Sequence, residues 1–397
     1  MKEGRNTTVL DDLPASFVVE EILVRLPAKD VFRCRVVRKS WCHATSTNNF
    51  LLTHYRCQPS LPIVNLFRRT NKGYDCIFSV LNDSSATTIN RKLCGRTVLR
   101  CSNPWVDKER PDVPAYCDGL FIVSIFESNG LFVVCNPTTH QHAHLPLLRQ
   151  RSVPTQRIQI AAFNQHHPSR EYRILYSIRT KNDDISNLNF YVLALGSDEP
   201  RPTRKLTMSR DLPDGFICCC TAPVLHGGCL HWELGRHFND PSHNIMVFDT
   251  MLETFRWMCG PCHSYTWMSL YEMNDSLVMI CSHDWVTIHI YVMQDYVADI
   301  WALTHHINIM KLVGLPPFDY RKMSLLKIVP LNERELLVKL MGGYVLHCDI
   351  DGKFLGNFEC DDGEGNYVDI TTYSFRENII PLPFFDKQGH SENNMML

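Results

Sequence analysis

From about Pro59 onward the sequence repeats one pattern, a short run rich in Val, Ile, Leu, Phe and Tyr followed by turn residues. LPIVNLF, GYDCIFSVL, GLFIVSIF, YRILYSI, NIMVFD, SLVMICS, TIHIYVM and YVLHCDID are such runs. No amphipathic stretch of ~12 residues lies between them, so the pattern predicts all-β antiparallel structure rather than a parallel α/β sheet. The segment around Ile300–His306 is the one weak helical candidate.

The runs group into units. CDGLFIVSIF…LFVVCNP pairs with VLHGGCLHW…NIMVFDTMLETFRWM, and LYEMNDSLVMICS…TIHIYVM with VPLNERELLVKLMGGYVLHCDIDGKFLGNF. Gly119, Gly227, Ser276 and Glu333 mark the turn points. Residues 172–195 form a further unit, and residues 62–99 together with 367–382 make another. The spacing is near the ~40–50-residue period of propeller blades. About five to seven blades are expected, the competing architecture being a pair of β-sandwiches.

The first 57 residues read differently. In ASFVVEEILVRL, Val18, Ile22 and Leu26 recur at helical spacing, Pro14 suits a first turn and Pro27 stops the helix. AKDVFRCRVV places Val31, Cys34 and Val37 on one stripe, and KSWCHATSTNNFLLTHY carries Trp41, Phe50 and Leu51. Three short helices bury little surface, so the module is expected either to cap the β domain or to complete its core against a partner. The expected division is 1–10 disordered N-terminus, 11–57 helical module, 60–385 β domain and 386–397 disordered tail. The fold class is therefore α+β multidomain, a small helical module followed by a large antiparallel propeller-like domain.

Composition narrows function. Of 397 residues, 21% are charged and 45% hydrophobic, and the net charge is −2. Such a balance supplies no global field for nucleic acid or an anionic membrane, so neither is an expected partner. Residues 1–57 carry nine Lys/Arg against six Asp/Glu, which leaves the remainder acidic by five. The N-terminus lacks an apolar signal region, and runs such as Leu131–Cys135 and Leu277–Cys281 are far shorter than the ~18 residues a membrane helix needs. A cytoplasmic or nuclear location is expected. The 17 cysteines are then reduced, small apolar residues, and the sequons at Asn6, Asn82 and Asn274 are coincidental.

Several motifs invite chemistry. Cys259-Gly260-Pro261-Cys262 has the thioredoxin spacing, but that motif needs a helix starting at it within a βαβ unit, and HSYTWMSLYEMNDS follows. Cys218-Cys219-Cys220 cannot converge on one ion if extended, because neighbours face opposite sides. His140, His142 and His144 would share one strand face but read as solvated. Gly342-Gly343 reads as a hairpin turn, Asp349-Ile350-Asp351-Gly352 lacks EF-hand spacing, and Asp361–Asn366 is an acidic turn. G-x-S-x-G and phosphate-loop motifs are absent. No metal or cofactor is expected.

Leu13-Pro14, Glu21-Ile22-Leu23, Arg25-Leu26-Pro27, Val31, Arg33, Arg35, Val37, Lys39 and Trp41 stand in the order and spacing of an F-box, which residues 13–50 resemble. Cys117–Leu147, Ala161–Leu175, Val224–Trp232 and Met246–Met258 resemble, in order, the F-box-associated domains expanded in plants. The resemblance implies a substrate receptor of an SCF-type ubiquitin ligase, with no chemistry of its own. Its F-box would bind a Skp-type adaptor, and through it a cullin scaffold, while a C-terminal domain holds an unidentified target. By carry-over, adaptor contacts are Leu13, Pro14, Ile22, Leu23, Leu26, Pro27, Val31, Val37 and Trp41. Trp41 and Pro14 are expected to face the partner, and Ile22 and Leu26 to turn inward. The alternatives are a thiol-disulfide oxidoreductase using Cys259 and Cys262, and an F-box-like interaction protein outside any ligase.

Overall fold

A computed structural model describes residues 13–70, 73–81, 90–92, 95–103, 112–126, 131–148, 156–180, 189–203, 222–233, 245–261, 265–312, 325–340, 345–359 and 367–386. Six sheets follow one another around a central axis. Blade 1 holds β1 (Leu61–Thr70), β2 (Gly73–Leu81), β4 (Gly95–Asn103) and, from the far end of the chain, β25 (Tyr367–Phe375). Blade 2 holds β5 (Asp112–Cys117), β6 (Leu120–Phe126), β7 (Leu131–Asn136) and β8 (Gln141–His144). Blade 3 holds β9 (Gln156–Gln165), β10 (Tyr172–Thr180), β11 (Asn189–Ala194) and β12 (Arg201–Pro202). Blade 4 holds β13 (Val224–His226), β14 (Cys229–Glu233), β15 (Ile245–Asp249) and β16 (Thr254–Met258). Blade 5 holds β17 (Trp267–Met273), β18 (Ser276–Ser282), β19 (Thr287–Asp295) and β20 (Ile300–Asn308). Blade 6 holds β21 (Leu325–Pro330), β22 (Glu335–Leu340), β23 (Val345–Asp349) and β24 (Phe354–Glu359), with β3 (Asn90–Lys92) added in parallel on β24.

The fold is thus a six-bladed β-propeller, as the repeat units predict, including the blade assembled from both ends of the chain. Successive strands within a blade pair antiparallel through tight turns. Asp118-Gly119, Gly227-Gly228 and Asn274-Asp275 all have positive φ at both central positions, the geometry that two-residue hairpins require. Gly342-Gly343 and Asp361–Asn366 lie outside the described residues.

Each gap between blades is filled by its own apolar cluster. Ile63, Phe78 and Phe121 fill the gap between blades 1 and 2, Ile122, Ile174 and Tyr176 that between 2 and 3, and Leu175, Trp232 and Phe248 that between 3 and 4. Val247, Met268 and Met279 lie between blades 4 and 5, and Ile280, Ile290, Ile328 and Val338 between 5 and 6. Val64, Ile370, Val329 and Leu337 seal blade 6 against blade 1. The near-continuous apolar strands follow from this packing, because both faces of each sheet are covered. Ring closure also has an ionic clamp, since Lys339 and Lys327 on blade 6 lie 3.2 and 3.6 Å from Asp369 on β25.

Ile300–His306 is strand, not helix. β20 pairs along its length with β19, from Ile300 opposite Asp295 to Asn308 opposite Thr287. The pairing overrides the helical propensity of its Ala and Leu, and the helix that does form, α5 (Ile309–Leu312), begins just beyond it.

The N-terminal module begins with a helical stretch, α1 (Ala15–Phe17) continuing through Val18–Ile22 and Leu23–Arg25, followed by α2 (Ala28–Val37), α3 (Lys39–Thr45) and α4 (Asn48–Cys57). The third predicted helix is therefore two. It breaks at Ser46-Thr47, where the Thr47 hydroxyl accepts the Phe50 amide and caps a new helix. A short α6 (Pro383–Asp386) packs Phe385 into the cluster between blades 2 and 3. Among the described residues no helix is long and apolar enough to cross a membrane.

Ile280 is fully buried between blades 5 and 6, so Ile280→Ala should cost ~2–5 kcal/mol in urea unfolding. Val297→Ala on the same blade, at a site 94% exposed, should stay within ~0.5 kcal/mol. His231 is buried, with Nε2 2.8 Å from the Tyr296 hydroxyl and Nδ1 3.1 Å from the Val224 carbonyl. Burial pulls its pKa down to about 4, only partly opposed by the Val224 carbonyl. The unfolded chain therefore binds the proton more readily. Stability is full above pH ~6.5 and declines between that value and about pH 4. The urea midpoint of His231→Gln should vary less with pH over this window than that of the wild type.

Candidate functional site

The innermost strand of every blade, β25, β5, β9, β13, β17 and β21, contributes to a central funnel of about 750 Å3. The funnel lies at the end of the ring where these strands terminate, because its walls come from Ala115–Asp118, Leu270–Asn274, Val329–Glu333 and Thr372–Arg376. The helical module is attached at this same end. Ser60 lies at the wall, and Tyr55 of α4 donates to the Asp118 Oδ1 at 2.8 Å.

Asp118 holds three parts of the chain together. Its carboxylate accepts from Tyr55 in the module and from Tyr172 of blade 3, at 2.8 and 3.2 Å. Burial, and then the Asp118 charge, push both tyrosine pKa values far above normal, so both hydroxyls stay protonated donors. The Asp118 backbone carbonyl accepts from the Asn378 side chain at 2.7 Å.

Asn378 belongs to an extended strap, residues 376–382, that leaves β25 and crosses blade 2 towards the module. It is fully buried and uses every polar group it has. Its amide N–H donates to Thr138 Oγ1, its carbonyl accepts from Asn136, its side-chain nitrogen donates to Asp118 and its side-chain oxygen accepts from Ile380 N–H. Gly119 admits the strap. A Cβ there would stand 2.5 Å from the Arg376 carbonyl oxygen, and φ is already +81°. The strap also serves the module. α2 follows Pro27, whose side chain cannot cap it, and Glu377 supplies the missing acceptor to Ala28 N–H at 2.6 Å while pairing with Arg96 at 2.7 Å. Ile379 and Ile380 enter the module's apolar core beside Val18, Leu23, Val24, Val31, Trp41 and Leu51. The module completes its core in part against its own chain.

This arrangement sorts the predicted adaptor contacts. Leu13, Pro14, Pro27 and Val37 are exposed, with Leu13 at 37% and Val37 at 76%. Ile22 and Leu26 are half-buried, Leu26 against the core. Leu23, Val31 and Trp41 are buried in the module itself, at 3, 0 and 9% exposure. Trp41 therefore does not face outward as expected; its ring packs into the core and Arg38 covers it at 4.9 Å. The Val31–Cys34–Val37 stripe turns from core to solvent along α2. Phe17 and Val36, outside the carried-over set, are exposed as well, at 48 and 88%. Val36 sits beside Val37 at the end of α2.

The chemical motifs come out plainly. Cys259 lies in the loop after β16, its amide donating to Asp299 and its carbonyl accepting from Trp301. From Trp267 the chain is antiparallel strand, so the helix and parallel sheet of a redox CxxC motif are replaced by a blade-to-blade connection. Cys262 and Cys218–Cys220 lie outside the described residues. His140 sits in a turn at φ +56° while His142 and His144 are exposed on the edge strand β8. No group of three or more metal-ligating side chains forms among the described residues. Asp349 caps the β23–β24 turn by accepting from Asp351 and Lys353.

Loss of the Tyr55 hydroxyl should loosen the seam by ~1.5–3 kcal/mol, the range for a hydrogen bond to a charged acceptor. In Tyr55→Phe, and more strongly in Gly119→Ala, amide hydrogen exchange should speed up in α2–α4 while β18 keeps its protection. Equal acceleration in both regions would mean that the seam is not a separate unit.

Residues 85–334 match the family described as the F-box associated beta propeller domain. The match lies centrally, so β1, β2 and β22–β25, which complete the ring, fall outside it, as do residues 13–57. The chain is similar to F-box protein CPR1 of Arabidopsis thaliana, at 22% identity over 88% of this chain and 85% of that protein. It is also similar to the Arabidopsis F-box proteins At5g49610, at 29% identity over 34% of this chain, and At1g30790, at 22% over 68%. The chain spans 33% and 66% of the lengths of these last two. A solved β-propeller domain, Cps50 (Swd1) of Myceliophteria thermophila, aligns over 76% of this chain and 90% of its own at 7% identity and TM-score 0.39, too loosely to add to the topology. With well over half of its length matched, the chain belongs to the F-box associated β-propeller domain family.

Proposed function

We propose that this protein is the substrate receptor of an SCF-type ubiquitin ligase, its helical module acting as an F-box and its propeller holding the target. The observation that carries this reading is the division of the module's apolar residues. Leu23, Val31 and Trp41 close its core and the strap anchors one side, yet Leu13, Phe17, Val36 and Val37 remain exposed together with Pro14 and Pro27. A small module that has already satisfied its core and still presents apolar side chains is suited to bury them against a partner. The relatives named F-box proteins support a Skp-type adaptor as that partner, with a cullin scaffold reached through it. The excess of Lys and Arg over residues 1–57 favours an acidic adaptor surface.

Such a receptor works by proximity. Holding the target on the same body as the ligase turns ubiquitin transfer into an effectively intramolecular event. The seam at Asp118 and the strap serve this directly, because they fix the propeller relative to the module.

Co-expression with a Skp-type adaptor and size-exclusion chromatography test the proposal. The wild type should co-elute with the adaptor. Val36→Asp/Val37→Asp, at sites outside the module's core, should weaken the complex at least ~tenfold with thermal unfolding unchanged. Leu23→Asp and Trp41→Ala are poor probes, since both disrupt the module itself. A folded wild-type chain that binds no Skp-type adaptor overturns the reading.

A further inference from the structure

The six blades treat their outer edges differently. β4 carries Arg96 and Arg100, β8 and β12 are four and two residues long, β16 carries Arg256, and β24 is covered by β3. Charge, shortness and cover are the usual protection of a sheet edge, whose open N–H and C=O groups otherwise take up another strand. β20 has none of these. It is nine residues long, IWALTHHIN, without Lys, Arg, Asp, Glu or Pro, and among the described residues no strand lies on its outer side. Ile300 and Leu303 on it are each 52% exposed, and Val297 and Met310 at its two ends are 94 and 40% exposed.

The strand is complementary to an antiparallel copy of itself. A bulge at Thr304, where Tyr291 faces Leu303 and Ile290 faces His305, divides it into the halves Ile300–Leu303 and His305–Asn308. Its ends carry opposite charge, since Asp295 and Asp299 bound the turn that leads in and Lys311 follows its last residue. A two-fold axis through Thr304 sets each half opposite the other half of the second copy. It also brings Lys311 of each copy beside the Asp295–Asp299 turn of the other, with no carboxylate facing a carboxylate. Blade 5 lies across the ring from blade 2, which carries the seam and the strap, so a copy joined at β20 leaves both helical modules free at the far ends.

We propose that the chain self-associates through β20, the two edge strands joining blade 5 of two copies into one antiparallel sheet. Nine residues a side fall below the ~20–30 of a standard interface, so the dimer is weak and forms at high local concentration. The inference goes beyond the receptor reading and does not depend on adaptor binding.

Sedimentation velocity of the full chain from about 1 to about 200 µM tests it, because mass action makes association depend on concentration. The average mass should rise from monomer towards dimer. Leu303→Lys, at an exposed site beside the axis, should raise the dissociation constant at least ~tenfold without lowering the thermal midpoint. Lys311→Glu should weaken the dimer at low salt, and added salt should narrow its difference from the wild type. Hydrogen exchange locates the contact. Amides of β20 should slow at the higher concentration while those of β16 are unchanged. A wild type that stays monomeric throughout overturns the proposal, as does a dimer that Leu303→Lys leaves intact. Protection of β20 only on adding a different protein, the chain itself being monomeric, gives the edge to that partner and likewise overturns it.

Discussion

The pairing of β25 with β1 holds the molecule in one piece. It runs from Leu61 opposite Phe375 to Phe67 opposite Tyr367 and joins the first and last strands of the ring within one sheet. Without it, blade 1 loses its inner strand, the cluster of Val64, Ile370, Val329 and Leu337 loses a wall, and Lys339 loses the Asp369 carboxylate. In a propeller each blade buries its faces against its neighbours, so this closure protects the first and last blades. The closing strand also delivers the strap. Residues 376–382 reach the helical module only because β25 ends at the funnel beside the Asp118-Gly119 turn.

Closure and docking are therefore linked. Glu377 caps α2 from some 350 residues away in sequence, and Ile379 fills the module's core. A module this small has limited core of its own, and the strap makes up part of the deficit. The result is a tether with defined geometry, which a proximity mechanism needs. In the proposed receptor, a flexible joint would spread a bound target over a larger volume and lower its effective concentration at the ligase.

The ring was legible in the sequence because propeller blades are built from local signals. Asp118-Gly119 and Gly227-Gly228 announce hairpins through turn chemistry, and the apolar runs between them read as strands. Even the split blade could be inferred, since residues 62–99 and 367–382 were each half a unit. What stayed hidden depends on contacts distant in sequence. Nothing near Trp41 tells whether its ring meets a partner or Ile379, and helical spacing alone assigns Val31 and Val37 to the same stripe although one is buried and the other exposed. Ile300–His306 misled for the same reason, because its strand character comes from β19.

The funnel illustrates the same limit from the side of function. Asp118, Glu272, Glu333 and Arg376 lie on four different blades and share no motif, so only closure of the ring brings them to one opening. Once there, they are not equivalent. Asp118 accepts from Tyr55 and Tyr172 at the seam, while Glu272, near the end of β17, and Glu333, between β21 and β22, are exposed. Residues on the turns of a rigid ring can change without disturbing the inter-blade clusters beneath them, so the turns can vary while the closure and the seam stay fixed.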